Sequence, residues 1–230
     1  MDFNKFTIPS ISILFGSPRS GKTFTIEYLI YNLYKRGKFH WGTVFSPTAI
    51  KNGSYSFMPI DRVIAAPTKY KRKDADGNTE SRYKEIDKIM EYQAKNPGKS
   101  TFIIFDDCNG LVNWYLPQLI NLISTYRHQR ISLFIASQQI TLATSPLLRG
   151  CATYGFCWFQ NIDNNVVAMH KDFITLESKQ KVKDWLNKYC PSKSHIFIFV
   201  DTDEHEAKQR YRVTKAHEVP KFSLKFDAKL

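Results

Sequence analysis

The residues of this chain best suited to chemistry are the glycines Gly16 and Gly21 and the pair Lys22-Thr23, within Gly16-Ser17-Pro18-Arg19-Ser20-Gly21-Lys22-Thr23. That is the GxxxxGK[ST] spacing of a polyphosphate-binding loop. Glycine permits backbone conformations closed to residues with a Cβ, so successive N–H groups can turn inward around an anion. A helix opening at Gly21 would aim its free N–H groups and positive dipole end at the same anion. Lys22 supplies a point charge for β- and γ-phosphates, and the Thr23 hydroxyl is placed to ligand Mg²⁺. The expected ligand is a nucleoside triphosphate with Mg²⁺.

Further along, Asp106-Asp107 follow the apolar run Thr101–Phe105. At the carboxyl end of a parallel strand, Asp106 would complete the metal site opposite Thr23, and Asp107 would polarise an attacking water. Gln138 ends the next apolar run and could touch the γ-phosphate or the lytic water. Gln139 is its rival, because adjacent strand residues point oppositely. Arg127, Arg130 and Arg149 are candidates for a cation donated across a subunit interface to the γ-phosphate. Arg19 could touch phosphate within its own subunit or face solvent.

The elements that must position these groups are legible in outline. Ile11–Phe15 reads as a short buried strand, and the helix after the loop spans Lys22 to Arg36, with Gly37 as a stop. Trp41–Phe45, closed by Ser46-Pro47-Thr48, is a second strand, and residues 62–66 suggest a short third. The basic run Lys69–Lys73 reads as exposed chain able to follow a phosphate backbone, with a turn over residues 74–78. A helix is expected over residues 81–94, where Tyr83, Ile86 and Met90 share a face. Strands follow at Thr101–Phe105, Ile131–Ala136 and Tyr154–Phe159, with a helical stripe from Leu116 to Tyr126 between the first two. Near the end, Val182, Trp185, Leu186 and Tyr189 mark a helix face. Ile196–Val200 and Arg210–Thr214 then read as two strands joined by an acidic loop. Phe3, Phe6 and Ile8 are expected to pair beside the sheet. The alternation through residue 160 argues for an α/β fold with a mainly parallel sheet.

The chain has 230 residues, 43% of them apolar, enough for one domain with a full core. No run approaches the ~18 apolar residues of a membrane span, and the N-terminus lacks a signal-peptide pattern. A soluble, cytoplasmic protein is the expectation. Cys108, Cys151, Cys157 and Cys190 show no zinc-type spacing and are expected as reduced, mostly buried thiols. The six histidines likewise lack ligand spacing. A net charge of +12 argues for an acidic partner, nucleic acid above all.

Taken together, Gly16–Thr23, the strand ending in Asp106-Asp107-Cys108, and Tyr126-Arg127-His128 ahead of Ile131–Gln138 resemble the viral genome-packaging ATPases of the FtsK–HerA superfamily. The poxvirus-type branch of large DNA viruses and virophages is the most similar, and Ser46-Pro47-Thr48 also looks like that branch. The likeness covers residues 8 to 160; residues 161–230 form an extension with no motif. It implies a RecA-like ASCE P-loop fold in which one strand separates the phosphate-loop strand from the acidic one. It also implies a homo-oligomeric ring, hexameric in the family, that drives double-stranded DNA into a preformed capsid and meets proteins of the packaging vertex. By that likeness Lys22 and Thr23 bind triphosphate and metal, Asp106 is the metal-side acid, and Asp107 stands where a catalytic Glu is usual. Gln138 becomes the sensor, with Arg149 and Arg127 both claimants as arginine finger. The phosphate loop alone is also compatible with a nucleotide-kinase-like phosphotransferase, or with a DNA-binding NTP switch.

Overall fold

The computed structural model describes residues 2–73, 76–140, 144–160, 162–192 and 194–226. Ten strands are seen among them: β1 (Ile11–Phe15), β2 (Trp41–Phe45), β3 (Val63–Ile64), β4 (Lys69–Lys73), β5 (Thr79–Tyr83), β6 (Thr101–Asp106), β7 (Ile131–Ser137), β8 (Tyr154–Cys157), β9 (Ile196–Asp201) and β10 (Tyr211–Lys215). The helices are α1 (Lys22–Lys35), α2 (Ala49–Asn52), α3 (Lys84–Lys95), α4 (Pro117–Thr125), α5 (Pro146–Gly150), α6 (Asp163–Asp172), α7 (Lys179–Tyr189) and α8 (Ala207–Arg210). A 3₁₀ turn covers Ile60–Arg62.

Eight strands form one sheet in the order β10-β9-β8-β1-β7-β6-β2-β3. From β8 to β3 every pairing is parallel, while β9 and β10 add antiparallel at the β8 edge. β7 stands between β1 and β6, the RecA-like order expected above. Strands β1, β2, β6 and β7 are buried along their whole length. Their continuous apolar runs are what a parallel sheet covered on both faces requires. Alternation then sends successive side chains to opposite layers. Ile103 and Phe105 of β6, with Leu133 and Ile135 of β7, pack with α3, α4, α6 and α7. Phe102, Ile104 and Phe134 pack instead with α1, through Ile26, Leu29, Ile30 and Leu33.

Several elements depart from the sequence reading. The basic run is strand β4, paired antiparallel with β5 as a separate two-stranded ribbon. Because the chain stays extended through Tyr83, α3 begins at Lys84 rather than 81. Of the strand expected over 62–66 only Val63–Ile64 pairs. The turn before β5 carries Gly77 at φ 85°, while Asp74 and Ala75 of the same turn lie outside the described residues. Phe3 and Phe6 form no strand; they are buried against Tyr28 and Tyr154. Helix α6 had no counterpart in the sequence reading. The residues after β10 run back over the α1 layer, where Phe222 stacks on Phe57 at 4.7 Å and the Leu224 N–H donates to the Phe57 carbonyl.

Close approach of β2 and β6 depends on one glycine. Gly42 pairs with Phe102, and a Cβ at Gly42 would lie 2.3 Å from the Phe102 ring. Gly42→Ala should destabilise the fold by ~1–3 kcal/mol, the usual cost of overpacking a close-packed core, read as a lower denaturation midpoint in urea. The four cysteines give a second check. All are free; Cys108, Cys157 and Cys190 are buried and Cys151 is half-buried. Burial pushes the Cys108 and Cys190 thiols up to about 12 and raises Cys157 as well. Since the thiolate is the reactive form, native protein should show one fast-reacting thiol with an aromatic disulfide reagent and all four after denaturation. Two or more fast thiols would contradict this packing.

Candidate active site

Parallel strand order puts the ends of β1, β6 and β7 side by side. Phe15 lies opposite Ser137, and Asp106 opposite Ala136. The loop after β1 and the acids after β6 therefore leave the sheet at the same edge. Gly21, at φ 100°, caps α1, and Arg19 has a positive φ of 61°. The loop is tight: a Cβ on Gly16 would fall 2.3 Å from Ser20 Oγ, and on Gly21 2.9 Å from His195 Nδ1. The Gln160 side chain closes the loop from below. With its oxygen turned to the loop it accepts from the Gly16 and Ser17 N–H groups at 3.3 and 3.2 Å. Ser17 Oγ donates to the Phe159 carbonyl at 3.2 Å, while Pro18 and Arg19 face solvent.

Lys22 is buried, and its Nζ donates to the carbonyls of Gly16 and Ser17 at 2.9 and 3.0 Å. Burial lowers its pKa, against the pull of Asp107 and Asp106. Asp106 is buried too, with 5% exposure. Its Oδ2 accepts from Thr23 Oγ1 at 3.1 Å and from the Tyr55 hydroxyl at 2.8 Å. Desolvation raises the Asp106 pKa, more than those two bonds and Lys22 lower it. Tyr55 is itself buried, on a backbone of φ 61°, and burial beside Asp106 drives its hydroxyl pKa well up, so it remains a donor. Hydroxyl and carboxylate oxygens meeting at the end of a phosphate loop are the donor set a hard divalent cation takes. The tight loop and the orphaned, buried Ser20 Oγ within it fit a bound polyphosphate.

Asp107 turns out of the strand at φ 52°, half-buried. Gln138 Nε2 lies 3.4 Å from both of its carboxylate oxygens, whereas Gln139 is exposed. Asn165 of α6 holds this corner, donating to the Gln138 carbonyl at 2.9 Å and accepting from the Ile140 N–H at 3.3 Å. Beside the loop, Trp158, Phe159, Pro191 and His195 line a cleft of about 450 Å³.

The arginines lie elsewhere. Arg127 follows α4 ahead of β7, and Arg149 sits in α5 ahead of β8, so both belong to the opposite edge of the sheet. There they share a cleft of about 610 Å³. Arg149 pairs with Asp172 at 2.6 Å and donates to the Thr144 carbonyl at 2.8 Å, leaving its side chain 12% exposed. Arg127 is 64% exposed and only 3.9 Å at its nearest from Asp203. Arg130 is exposed at φ 54°. Tyr55, Gln160, Asn165 and His195 had no sequence signal, since each reaches the site through a long-range contact outside any motif.

With this geometry in place, comparison with known proteins is decisive. The family profile described as "Poxvirus A32 protein" matches residues 6–219. The chain belongs to that family. No curated protein sequence matches it. Among solved structures it is similar to the genome packaging NTPase B204 of Sulfolobus turreted icosahedral virus 2 in complex with AMP. That match has 16% identity and a TM-score of 0.62, covering 93% of this chain and 100% of that one. The pCW3 conjugation coupling protein TcpA is similar at 16% identity and a TM-score of 0.54, over 89% of this chain and 60% of that chain. The type VII secretion ATPase EccC of Thermomonospora curvata follows at 12% and 0.56, over 95% and 25%. At these identities the structures attest the fold, a P-loop ASCE architecture. No helix among the described residues is long and apolar enough to cross a membrane.

The raised pKa of Asp106 has a consequence for stability. Its folded value lies above the ordinary 3.8, so the fold prefers the neutral acid. Stability contributed by this group is full below the unfolded value and is lost as pH rises through the folded one. At neutral pH the ionised carboxylate therefore costs stability. Asp106→Asn, whose amide oxygen can still accept from Thr23 and Tyr55, should raise the Tm at pH 7 without nucleotide, and the gain should shrink on acidification. Calorimetry across pH checks this; a lower Tm at pH 7 would show that the carboxylate is net stabilising.

Proposed function

We propose that this protein is a viral DNA-packaging ATPase, a ring-forming motor that hydrolyses ATP with Mg²⁺ and drives double-stranded DNA into a preformed capsid. The observation that carries the reading is the meeting of Thr23 and Asp106 at 3.1 Å, with Asp107 and Gln138 alongside. The family and the +12 charge support the polyanionic cargo. Its working place is the host cytoplasm at the capsid assembly site, with a fraction carried in the virion, and its further partners are proteins of the packaging vertex.

Within one subunit the loop N–H groups and the start of α1 hold the β- and γ-phosphates, and Lys22 adds charge where the γ-phosphoryl oxygens become more negative. Thr23 and Asp106 would hold Mg²⁺, and the ion would supply positive charge to offset the charge developing on the γ-phosphoryl group. The cleft beside Trp158 and His195 has the size and aromatic lining for the nucleoside. Asp107 accepts the proton of the attacking water, and Gln138 keeps that carboxylate oriented toward the γ-phosphate. The cation from the neighbouring subunit is Arg127, the freer of the two claimants; Arg149 instead fixes α5 to α6 through Asp172.

A phosphotransferase would need a mobile lid over the acceptor. In the segment best placed for one, 67–80, residues 69–73 and 79–80 are committed to the ribbon anchored on α3.

Lys22→Ala should lower ATP hydrolysis by about 10²–10³-fold, the usual cost of losing a preorganised charge. Asp107→Asn should lose about 10²–10⁴-fold through the missing general base while still binding nucleotide. A coupled phosphate-release assay with and without linear duplex DNA reads both. Hydrolysis by the wild-type protein that duplex DNA leaves unchanged at low salt would sink the motor reading, and transfer of phosphate to a nucleoside monophosphate would favour the kinase.

A further inference from the structure

The chain's densest run of cations stands on a structure of its own. The β4–β5 ribbon is not hydrogen-bonded to the large sheet, and its two faces differ sharply in charge. On one face Tyr70 lies opposite Arg82, and Arg72 opposite Glu80. This face is neutralised and pinned. Arg82 pairs with Glu80 and with Asp87 of α3, its Nε lying 2.9 Å from Asp87 Oδ2, and the Tyr70 hydroxyl donates to the same carboxylate. On the other face Lys69, Lys71 and Lys73 lie opposite Tyr83, Ser81 and Thr79. None of these partners is an acid. All three lysines are exposed, and none makes an ion pair among the described residues.

Extended chain rises ~3.4 Å per residue, so alternate lysines stand about 7 Å apart in a straight row. A DNA strand carries a charge every ~3.4 Å along the helix axis. The row is thus commensurate with a run of phosphates, and the one acid of the two strands, Glu80, is spent on the opposite face. Anchoring also matters: a ribbon already held on α3 loses little conformational freedom when it binds. Its base is wired inward. The Tyr83 N–H donates to the side-chain oxygen of Gln118, on α4, at 2.7 Å, and its carbonyl accepts from the Gln118 Nε2 at 2.9 Å. The Tyr83 hydroxyl accepts from the Asn113 N–H at 2.8 Å and donates to the Leu111 carbonyl at 3.1 Å. Those loop residues follow closely on Asp106-Asp107.

We propose that the β4–β5 ribbon is a DNA-gripping arm: Lys69, Lys71 and Lys73 contact the phosphate backbone of duplex DNA, and Tyr70, Arg82 and Asp87 hold the arm rigid on α3. This rests on the motor reading above and adds to it the surface that meets the cargo.

The test uses the full chain carrying K69Q/K71Q/K73Q, with K51Q/K95Q/K188Q as a control of equal charge change at exposed sites elsewhere. Fluorescence anisotropy with a labelled duplex is measured over a range of salt, and ATP hydrolysis with and without duplex. Each phosphate contact contributes about 0.9 to the slope of log affinity against log salt, so the arm variant should lose about 2–3 from that slope. Its stimulation should require more DNA while hydrolysis without DNA is unchanged, and the control should track the wild-type protein. Wild-type binding of duplex with an arm variant that matches it, or with a control that loses as much, overturns the arm alone. A wild-type protein that ignores duplex at low salt overturns the motor reading itself.

Discussion

The structure turns on a carboxylate kept out of water. Asp106 ends a strand buried on both faces, and moving a charge from water to such a place is costly unless it is paired and hydrogen-bonded. Thr23 and Tyr55 each donate to its Oδ2, and Lys22 lies close enough to act on it electrostatically, yet burial still dominates its ionisation. Lys22 is under the opposite strain, a cation lowered by burial and raised by two acids. The hydrogen bond from Tyr55, with that from Thr23, offsets part of the cost at Asp106, and the nearby Asp107 and Asp106 offset part of it at Lys22. A polyphosphate with its metal would meet charges that are already in place and largely desolvated, and hence need little reorganisation to act.

That arrangement is possible only because β7 stands between β1 and β6. Neighbouring strands lie ~4.8 Å apart, so the intervening strand sets the gap across which Thr23 and Asp106 meet, and its own end delivers Gln138 to Asp107. Apolar packing on both faces fixes the register: slipping β6 by one residue would send Ile103 and Phe105 to the α1 layer and turn Asp106 away. Core and chemistry are therefore one constraint. The residues that fill the sheet also aim the acids.

How much of this could be read from sequence follows the same division. β1, β2, β6 and β7 were legible because continuous apolar runs bounded by turn residues have few other meanings, and the phosphate loop because its glycines do a job other residues cannot. The ribbon was not. Lys69–Lys73 and Thr79–Tyr83 have no apolar face to betray a strand; they are extended because they pair with each other, and the helix expected from residue 81 yielded to that pairing. Helix α6 is weakly patterned, and its Asn165 earns a buried place through hydrogen bonds to Gln138 and Ile140. Tyr55 was invisible for a different reason. It lies in a turn-rich stretch, and only the tertiary fold carries its hydroxyl to Asp106.

The segment without motifs is not peripheral to the site. Asn165 holds the carbonyl of Gln138, His195 lies against Gly21 with its Nδ1 3.3 Å from the Ser20 carbonyl, and Phe222 and Leu224 pack on the turn that carries Tyr55. Residues beyond 160 thus buttress Gln138, the Gly16–Thr23 loop and the turn beside Asp106 from three directions. The arginines complete the picture by where they are not. Five residues of strand at ~3.3 Å each separate the two edges of the sheet, so neither Arg127 nor Arg149 can reach the phosphates of its own subunit. In the ring proposed above, Arg127 would therefore act on a neighbour's site, and hydrolysis would depend on the assembly rather than on the single chain.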